Sequence, residues 1–313
     1  MNIAFRYCIK LFESYLFIAV FAIVFGLIFP SFFSNFSSFT TFFLQIIFFF
    51  SSLKLESSEL FRAGKQWKTL LAVNAVLLII LPVLTYWMTI LLIPDLTLAL
   101  VLLAAMPAGM SLPLMVDVIG GNRSLALLLT ISSSLLAPIT VPLVLSQLIS
   151  ASVQLPLADM AWKLFVVIVI PFVLGQIVRR ALPKKNPRFF HIFKPVSLIL
   201  LGALIAASIA VNAESIIGST ENITTILFIL FVFFTAIHLL THLLFIKKPY
   251  RERITIAASV TFMNFTLGIY LAGLYIHDPL VILTLILSII PWAVLLIPFK
   301  SITDLLRKYG RIS

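Results

Sequence analysis

One cluster of residues able to form a binding site lies inside an apolar stretch, between Pro107 and Pro113. Proline removes a backbone donor and crowds the preceding turn, so two prolines with Gly109 between them predict that a helix unwinds here. An unwound stretch leaves carbonyls and a helix N-terminus that need polar partners or ions. Gly109 and Ser111 favour this interpretation over a simple proline kink, which is common in membrane helices.

A second polar cluster occurs late in the chain, within another apolar stretch. It contains Ser259, Thr261, Asn264 and Thr266. An asparagine side chain is costly in lipid unless it is paired, so we expect Asn264 to face the protein interior. Each residue alone is equally well explained by ordinary hydrogen bonding between helices. Taken together, the four residues predict the second part of one site.

Candidates for proton transfer are few, because no Asp or Glu lies in the middle of an apolar stretch. His238 and His242 are one helical turn apart, and histidine titrates near neutral pH, so this pair could carry a proton. The alternative is that both side chains simply extend toward the membrane surface near Lys247. We favour the surface explanation.

The elements that must position these residues are membrane helices. The chain is 62% hydrophobic and 11% charged, whereas soluble domains carry about 25% charged residues. Apolar runs of about 20 residues match the thickness of the hydrocarbon layer and must be helical in lipid. The net charge of +11 is dispersed between these runs, so we expect a lipid bilayer and no nucleic acid as partner. The single cysteine, Cys8, excludes a disulfide framework.

Apolar runs and the breaks between them predict ten transmembrane spans. They fall at residues 12–29, 38–53, 69–93, 96–118, 123–148, 160–179, 193–213, 222–246, 254–275 and 279–299. Lysine and arginine occur in alternate loops, beginning with Arg6 and Lys10, and only Lys163 at the start of span six departs from this alternation. The positive-inside rule therefore places both termini in the cytoplasm and the protein in the inner membrane.

Each half of the chain, 1–150 and 151–313, contains five predicted spans. Because five is odd, the second half must enter the membrane with the opposite orientation to the first. Antiparallel halves are typical of secondary transporters built from inverted repeats. The alternative is a ten-span protein without an internal repeat.

Residues 107–138 resemble the bile acid:sodium symporter family. The matching motifs are Pro-Ala-Gly-Met-Ser-Leu-Pro-Leu-Met, a Gly-Gly-Asn-Arg turn, and Leu-Leu-Leu-Thr-Ile-Ser-Ser-Ser-Leu-Leu-Ala-Pro. Residues 47–60 resemble the end of the family's second span, and residues 264–267 resemble its span-nine motif more weakly. The resemblance implies a panel domain (spans 1, 2, 6 and 7) and a core domain (spans 3, 4, 5, 8, 9 and 10). It also implies that broken spans four and nine cross at the site and that transport proceeds by alternating access.

The resemblance implies sodium as a coupling ion, but most of the family's sodium-ligand positions are substituted. The positions without a side-chain oxygen are Leu77, Leu112, Pro113, Ala126 and Met263, and Ser259 replaces a carboxylate. We therefore expect sodium coupling like that of the family to be lost. The oxygen-bearing side chains left as candidate ion ligands are Thr130, Ser133, Ser134, Ser259 and Asn74.

The sequence predicts a carrier for a small organic, anionic solute, because helix N-termini at a break favour negative groups. The predicted substrate-binding residues are Pro107, Gly109, Ser111, Pro113, Thr130, Ser259, Thr261, Asn264 and Thr266. The alternatives are a proton-coupled or uncoupled carrier of another organic solute, and a membrane receptor that transports nothing. The motifs of an intramembrane enzyme are missing: His238-Leu-Leu-Thr-His242, for example, lacks the glutamate of a metalloprotease. We expect no cofactor, and the oligomeric state stays open.

Overall fold

The computed structural model describes residues 15–53, 66–149, 155–181, 193–218 and 223–309. Arg6, Cys8, Lys10 and the stretches 54–65 and 182–192, which hold many of the basic residues, lie outside these ranges. The orientation inferred from the basic residues therefore stays a sequence prediction.

Helices account for the regular structure of the described residues, apart from one isolated antiparallel bridge. In chain order they are α1 (Tyr15–Ile28), α2 (Thr40–Leu53), α3 (Trp67–Leu92), α4 (Thr97–Ala104), α5 (Leu112–Ile119), α6 (Arg123–Ile149), α7 (Leu157–Ala181), α8 (Phe193–Val211), α9 (Ile223–Leu244), α10 (Tyr250–Thr261), α11 (Phe265–Ile276), α12 (Pro279–Val294) and α13 (Leu296–Tyr309). Shorter helical turns cover Pro30–Phe33, Ser34–Phe39, Pro94–Leu96 and Ala213–Gly218.

These helices lie close to the predicted spans. Span four corresponds to α4 and α5, and span nine corresponds to α10 and α11. Within the described ranges, five helical stretches are long and apolar enough to cross a membrane, and several shorter apolar helices accompany them. The five are Pro30–Leu53, Trp67–Leu92, Arg123–Ile149, Leu157–Ala181 and Ile223–Leu244. The structure thus has the character of an all-helical polytopic membrane protein, as predicted.

Two of the long helices contain a widened turn just before a proline. In α3 the π-helical turn Val76–Ile80 precedes Pro82, and in α7 the turn Phe165–Val169 precedes Pro171. A proline cannot donate a hydrogen bond and crowds the carbonyl one turn earlier, and a wider turn relieves that crowding. Both helices therefore continue through their prolines.

Helices α1, α2, α7 and α8 pack against one another through small residues. A Cβ added to Gly26 of α1 would lie 2.8 Å from the carbonyl oxygen of Ala206 in α8. A Cβ added to Gly175 of α7 would lie 2.8 Å from Cβ of Ser52 in α2. Small residues let helix backbones approach closely, which is how helices associate where no hydrophobic force drives them together.

A second group of helices surrounds the two interrupted spans. Helix α9 packs against α10, α6 packs against α3, α5 and α10, and α12 packs against α4. Helix α11 contacts both groups, since it packs against α8 and α2 as well as against α12 and α4. The interruptions in spans four and nine therefore lie in the interior of the bundle.

Candidate functional site

The predicted break in span four is present. Helix α4 ends at Ala104, α5 begins at Leu112, and Pro113 lies in the first turn of α5. The intervening segment is buried, with Met106 and Ala108 both 0% exposed. Proline and glycine thus interrupt the helix in the protein interior, where unpaired backbone groups are costly.

Span nine is also interrupted, although it contains no proline. Helix α10 ends at Thr261 and α11 begins at Phe265. Asn264 is the N-cap of α11, and its side-chain oxygen accepts a hydrogen bond from the backbone N–H of Leu267 at 3.1 Å. Asparagine is among the preferred N-cap residues because its side chain replaces a missing helical acceptor. Asn264 is 6% exposed, which confirms that it faces the interior.

The two breaks cross and pair through their backbones. The N–H of Gly109 donates to the carbonyl oxygen of Phe262, and the N–H of Asn264 donates to the carbonyl oxygen of Pro107, both at 2.8 Å. These bonds form an antiparallel bridge between Ala108 and Met263. Backbone groups released from one helix are therefore satisfied by groups released from the other, as an apolar interior requires.

Glycine at position 109 is required by this close approach. A Cβ on Gly109 would lie 2.9 Å from the carbonyl oxygen of Phe262 and 3.2 Å from that of Met263. Both neighbours are backbone atoms that are fixed by the crossing itself. A larger residue would therefore separate the two segments.

Helix α6 supports the break in span four with two of the predicted residues. The hydroxyl of Ser133 accepts from the N–H of Ala108 at 3.1 Å and donates to the carbonyl of Leu129 at 2.7 Å. The hydroxyl of Thr130 donates to the carbonyl of Gly109 at 3.4 Å. Ser133 and Thr130 thus hold the unwound backbone in place.

The other candidate ion ligands do not hydrogen-bond to the break in span four. The side-chain amide of Asn74 donates to the hydroxyl of Ser132 at 2.8 Å, and Ser259 donates to the carbonyl of Ile256 in its own helix at 2.7 Å. The side-chain oxygens of Asn74 and Ser134 are buried without a hydrogen-bond partner among the described residues. These contacts do not assemble the five residues into one ligand set.

Apolar side chains fill the positions where the family has sodium ligands. Leu112 and Ala126 are 0% exposed, and Met263 is 1% exposed at the bridge. The sequence has no Asp or Glu between residues 97 and 116 or between 253 and 277. A cation at the crossing would therefore have no carboxylate within these two stretches to offset its charge.

The surface explanation of the two histidines is wrong. His238 and His242 are 1% and 2% exposed, because the face of α9 that carries them packs inward. Nδ1 of His238 lies 3.2 Å from the hydroxyl of Thr261, the last residue of α10, and its ring stacks on Phe299 at 4.0 Å. Since Thr261 donates to the carbonyl of Ala257, Nδ1 of His238 is the donor in this pair. His238 therefore touches the end of the half-helix that leads into the crossing.

Comparison with known proteins identifies the family of this chain. A model of the "SBF-like CPA transporter family" matches residues 13–294. A similar protein is the "Uncharacterized sodium-dependent transporter YocS" of Bacillus subtilis (strain 168), which is 28% identical over 265 residues, or 82% of this chain and 79% of that protein. The resemblance found in the sequence motifs is thereby confirmed. Because the family match covers most of the chain, the protein belongs to the SBF-like CPA transporter family.

Proposed function

We propose that this protein is a secondary transporter that carries a small organic anion across the inner membrane by alternating access. The observation that carries the proposal is the backbone pairing of two interrupted helices, one from each half of the chain. Broken helices that meet inside a bundle are where many transporters with inverted repeats bind their solute. Membership of a transporter family favours a carrier over an enzyme.

The proposed architecture has ten spans in two inverted halves, 1–150 and 151–313, with both termini in the cytoplasm. Spans 1, 2, 6 and 7 would form the panel, and the close packing of α1, α2, α7 and α8 supports that grouping. Spans 3, 4, 5, 8, 9 and 10 would form the core, which holds the crossing. Movement of the core against the panel would then expose the crossing to each side in turn.

The proposed solute is an anion because the crossing combines two features. The N-termini of α5 and α11 both lie at the breaks, and the positive end of a helix dipole favours negative charge. Neither broken span supplies a carboxylate nearby to repel an anion. The buried apolar side chains of Met106, Leu112 and Met263 suit the organic part of such a solute. Ser111, Pro113, Ser259, Thr261 and Thr266 complete the proposed lining.

The name of the similar protein describes a sodium-dependent transporter, so sodium is a candidate coupling ion. The crossing of the present chain fits the family's sodium pair poorly, since the buried side chains of Leu112, Ala126 and Met263 offer no oxygen at the family's ligand positions. Sodium requires several hard oxygen ligands and benefits from a compensating negative charge. We therefore propose that this carrier does not use that pair of sodium ions.

The second candidate is a proton-coupled carrier, and it rests on His238. The hydrogen bond from His238 to Thr261 joins a side chain that ordinarily titrates near neutral pH to the end of α10. Opening of the crossing would change the surroundings of this imidazole, and protonation would favour the more hydrated state. An uncoupled carrier and a receptor that binds without transport are the remaining alternatives.

Replacing the residues that shape the crossing should reduce transport without preventing membrane insertion. Asn264→Ala removes the cap of α11, and we expect solute flux to fall about 5- to 30-fold. Thr130→Ala removes a longer hydrogen bond, and we expect a fall of about 2- to 5-fold. The measurement is uptake by purified protein in liposomes, with an organic anion identified by thermal-shift screening as the solute.

Asn35→Ala and Thr140→Ala are matched controls, because both side chains bond only to nearby carbonyls away from the crossing. We expect both controls to keep normal flux. Unchanged flux in Asn264→Ala and Thr130→Ala would place the solute site elsewhere. Saturable binding without any flux in the unaltered protein would support the receptor instead.

The coupling ion can be identified by the same thermal-shift measurement. We expect the stabilisation by the solute to be the same in sodium and potassium buffers. If the carrier is proton-coupled, the stabilisation should differ between two pH values, and His238→Gln should remove that difference while His277→Gln keeps it. Stabilisation that requires sodium would contradict the proposed loss of the family's sodium pair.

A further inference from the structure

A set of polar contacts joins α11 to α7 at one end of the bundle. The hydroxyl of Tyr275 donates to Oδ2 of Asp159 at 2.7 Å. Nζ of Lys163 lies 3.1 Å from the same carboxylate oxygen and 5.2 Å from the centre of the Tyr275 ring. Lys163 is the basic residue that departs from the alternation of charged loops, and these contacts account for its position.

A second contact joins α11 to α2 near the same end of the bundle. The hydroxyls of Tyr270 and Thr41 lie 3.1 Å apart, within hydrogen-bonding distance. Tyr270 is 3% exposed, so this bond is partly shielded from solvent. Two tyrosines on one half-helix therefore bond to two different helices of the proposed panel.

The two halves of span nine differ in what they contact. Helix α11 packs against α8 and α2, whereas α10 packs against α9, α6 and α5. The polar contacts of Tyr270 and Tyr275 thus lie along the half of span nine that meets the proposed panel. On this side of the crossing, the two groups of helices are held together.

The end of the bundle that carries these contacts is the one with few basic residues. Helices α2 and α7 begin here, and α11 ends here. The neighbouring loops at 30–37, 149–159 and 277–278 contain no Lys or Arg. By the positive-inside rule this end faces away from the cytoplasm.

We propose that Tyr275, Asp159, Lys163, Tyr270 and Thr41 form a latch that closes the crossing from the non-cytoplasmic side. This inference rests on the proposed function, since it assumes that the core moves against the panel. Opening toward that side requires Tyr275 to leave Asp159 and Tyr270 to leave Thr41. Side chains of Asp159 and Lys163 are 46% and 41% exposed, so their ion pair alone is weak and can break in each cycle.

The strength of the latch comes from its two tyrosine hydroxyls. The bond from Tyr275 to a carboxylate is charge-assisted, and bonds of that type are stronger than neutral ones. Tyr270 itself is buried and its bond to Thr41 is partly buried, where an unpaired hydroxyl is costly. Removing either hydroxyl should therefore shift the population toward the state that is open on this side.

A single reporter cysteine can test the latch without any knowledge of the solute. Thr266 is 9% exposed and lies one helical turn before Tyr270 on the same face of α11. In a full-length Cys8→Ser/Thr266→Cys background, the measurement is the rate of labelling by a membrane-impermeant maleimide in right-side-out vesicles. We expect Tyr275→Phe and Tyr270→Phe each to raise this rate about 5- to 10-fold.

Tyr86→Phe is the matched control, because it makes the same chemical change in α3, and we expect an unchanged rate. Asp159→Asn should also raise the rate, and the double variant Tyr275→Phe/Asp159→Asn should label no faster than the faster single variant. Equal labelling in the background and in both tyrosine variants would overturn the latch. Equal acceleration by Tyr86→Phe, or acceleration only in inside-out vesicles, would overturn it as well.

The result of the labelling experiment is independent of the result of the transport measurement. The labelling rate reports the opening of one side, whether or not a solute is carried. A protein that carries an anion but labels equally in all variants would lack the latch and remain a carrier. Accelerated labelling in a protein without flux would retain the latch and contradict the carrier.

Discussion

Gly109→Ala is expected to lower solute flux by about 100-fold while leaving the protein inserted in the membrane. The added Cβ would lie 2.9 Å from the carbonyl oxygen of Phe262, which accepts the hydrogen bond from the N–H of Gly109. Overpacking against fixed backbone and the weakening of two crossing hydrogen bonds together cost about 3 kcal/mol. If the intact crossing is needed for transport, that energy corresponds to about two powers of ten in rate.

Gly273→Ala is the matched control for this variant. It makes the same change in span nine, where a new Cβ would meet no atom within 4 Å. Flux into liposomes and elution as a single species in detergent should be measured for both variants. Equal flux in Gly109→Ala and Gly273→Ala would show that the crossing backbone is not part of the transport mechanism.

The break in span four could be predicted because its cause is local. Pro107, Gly109 and Pro113 act on the turns that contain them, so the sequence alone indicates where α4 must end. The break in span nine was expected only through the family resemblance. Its one local signal is Asn264, a preferred N-cap residue placed inside an apolar run.

The pairing between the two breaks could not be predicted from side chains. It is made by the backbones of Pro107 and Gly109 with those of Phe262 and Asn264, and the residues involved are far apart in the chain. Both segments were predicted as parts of one site, but no role in joining them was predicted for Ala108, Phe262 or Met263. Of these, Ala108 and Met263 form the bridge itself, and nothing in their side chains indicates that role.

The burial of His238 and His242 follows from a pattern that sequence analysis could have used. Leu240, Leu243 and Leu244 of the same helix are all more than half exposed. In a membrane helix the apolar face contacts lipid and the polar face turns inward, which is the reverse of a soluble protein. The proximity of Lys247 suggested a route to the membrane surface, but the packing of α9 against α10 determined the outcome.

The candidate ion ligands illustrate a different limit of sequence analysis. A serine or threonine in a helix can donate to a carbonyl three or four residues earlier, so its hydroxyl does not need an ion. Ser133 and Ser259 both do this. Residue type therefore identified oxygen atoms, whereas geometry decides whether several of them surround one point.

The second prediction with a large effect concerns the turn between α5 and α6. This turn of the first half of the chain is hydrogen-bonded to α10 of the second half. The hydroxyl of Thr255 in α10 accepts from the N–H of Asn122 and donates to the carbonyl of Arg251, both at 2.7 Å. Nε of Arg251 donates to the carbonyl of Gly120 at 3.2 Å. Gly121 lies against this network, and its lack of a side chain allows the turn to reach α10.

Gly121→Ala is expected to destabilise the folded protein strongly, by about 3 kcal/mol or more. Its Cβ would lie 2.5 Å from the hydroxyl oxygen of Thr255 and 2.6 Å from a methyl carbon of Val116. Thr255 would have to move, and both of its hydrogen bonds would be lost or lengthened. The measurement is the midpoint of thermal unfolding in detergent, monitored by circular dichroism.

The neighbouring glycine separates this steric effect from backbone strain. Gly120 has a φ of 77°, in the left-handed region, but a Cβ there would meet no atom within 4 Å. Gly120→Ala should therefore lower the free energy of unfolding by only about 1 kcal/mol, the cost of holding alanine in that conformation. A larger fall in the midpoint for Gly120→Ala than for Gly121→Ala would mean that the stability of the turn depends mainly on the left-handed backbone at residue 120. The contact with Thr255 would then not be what joins the two halves at this end of the bundle.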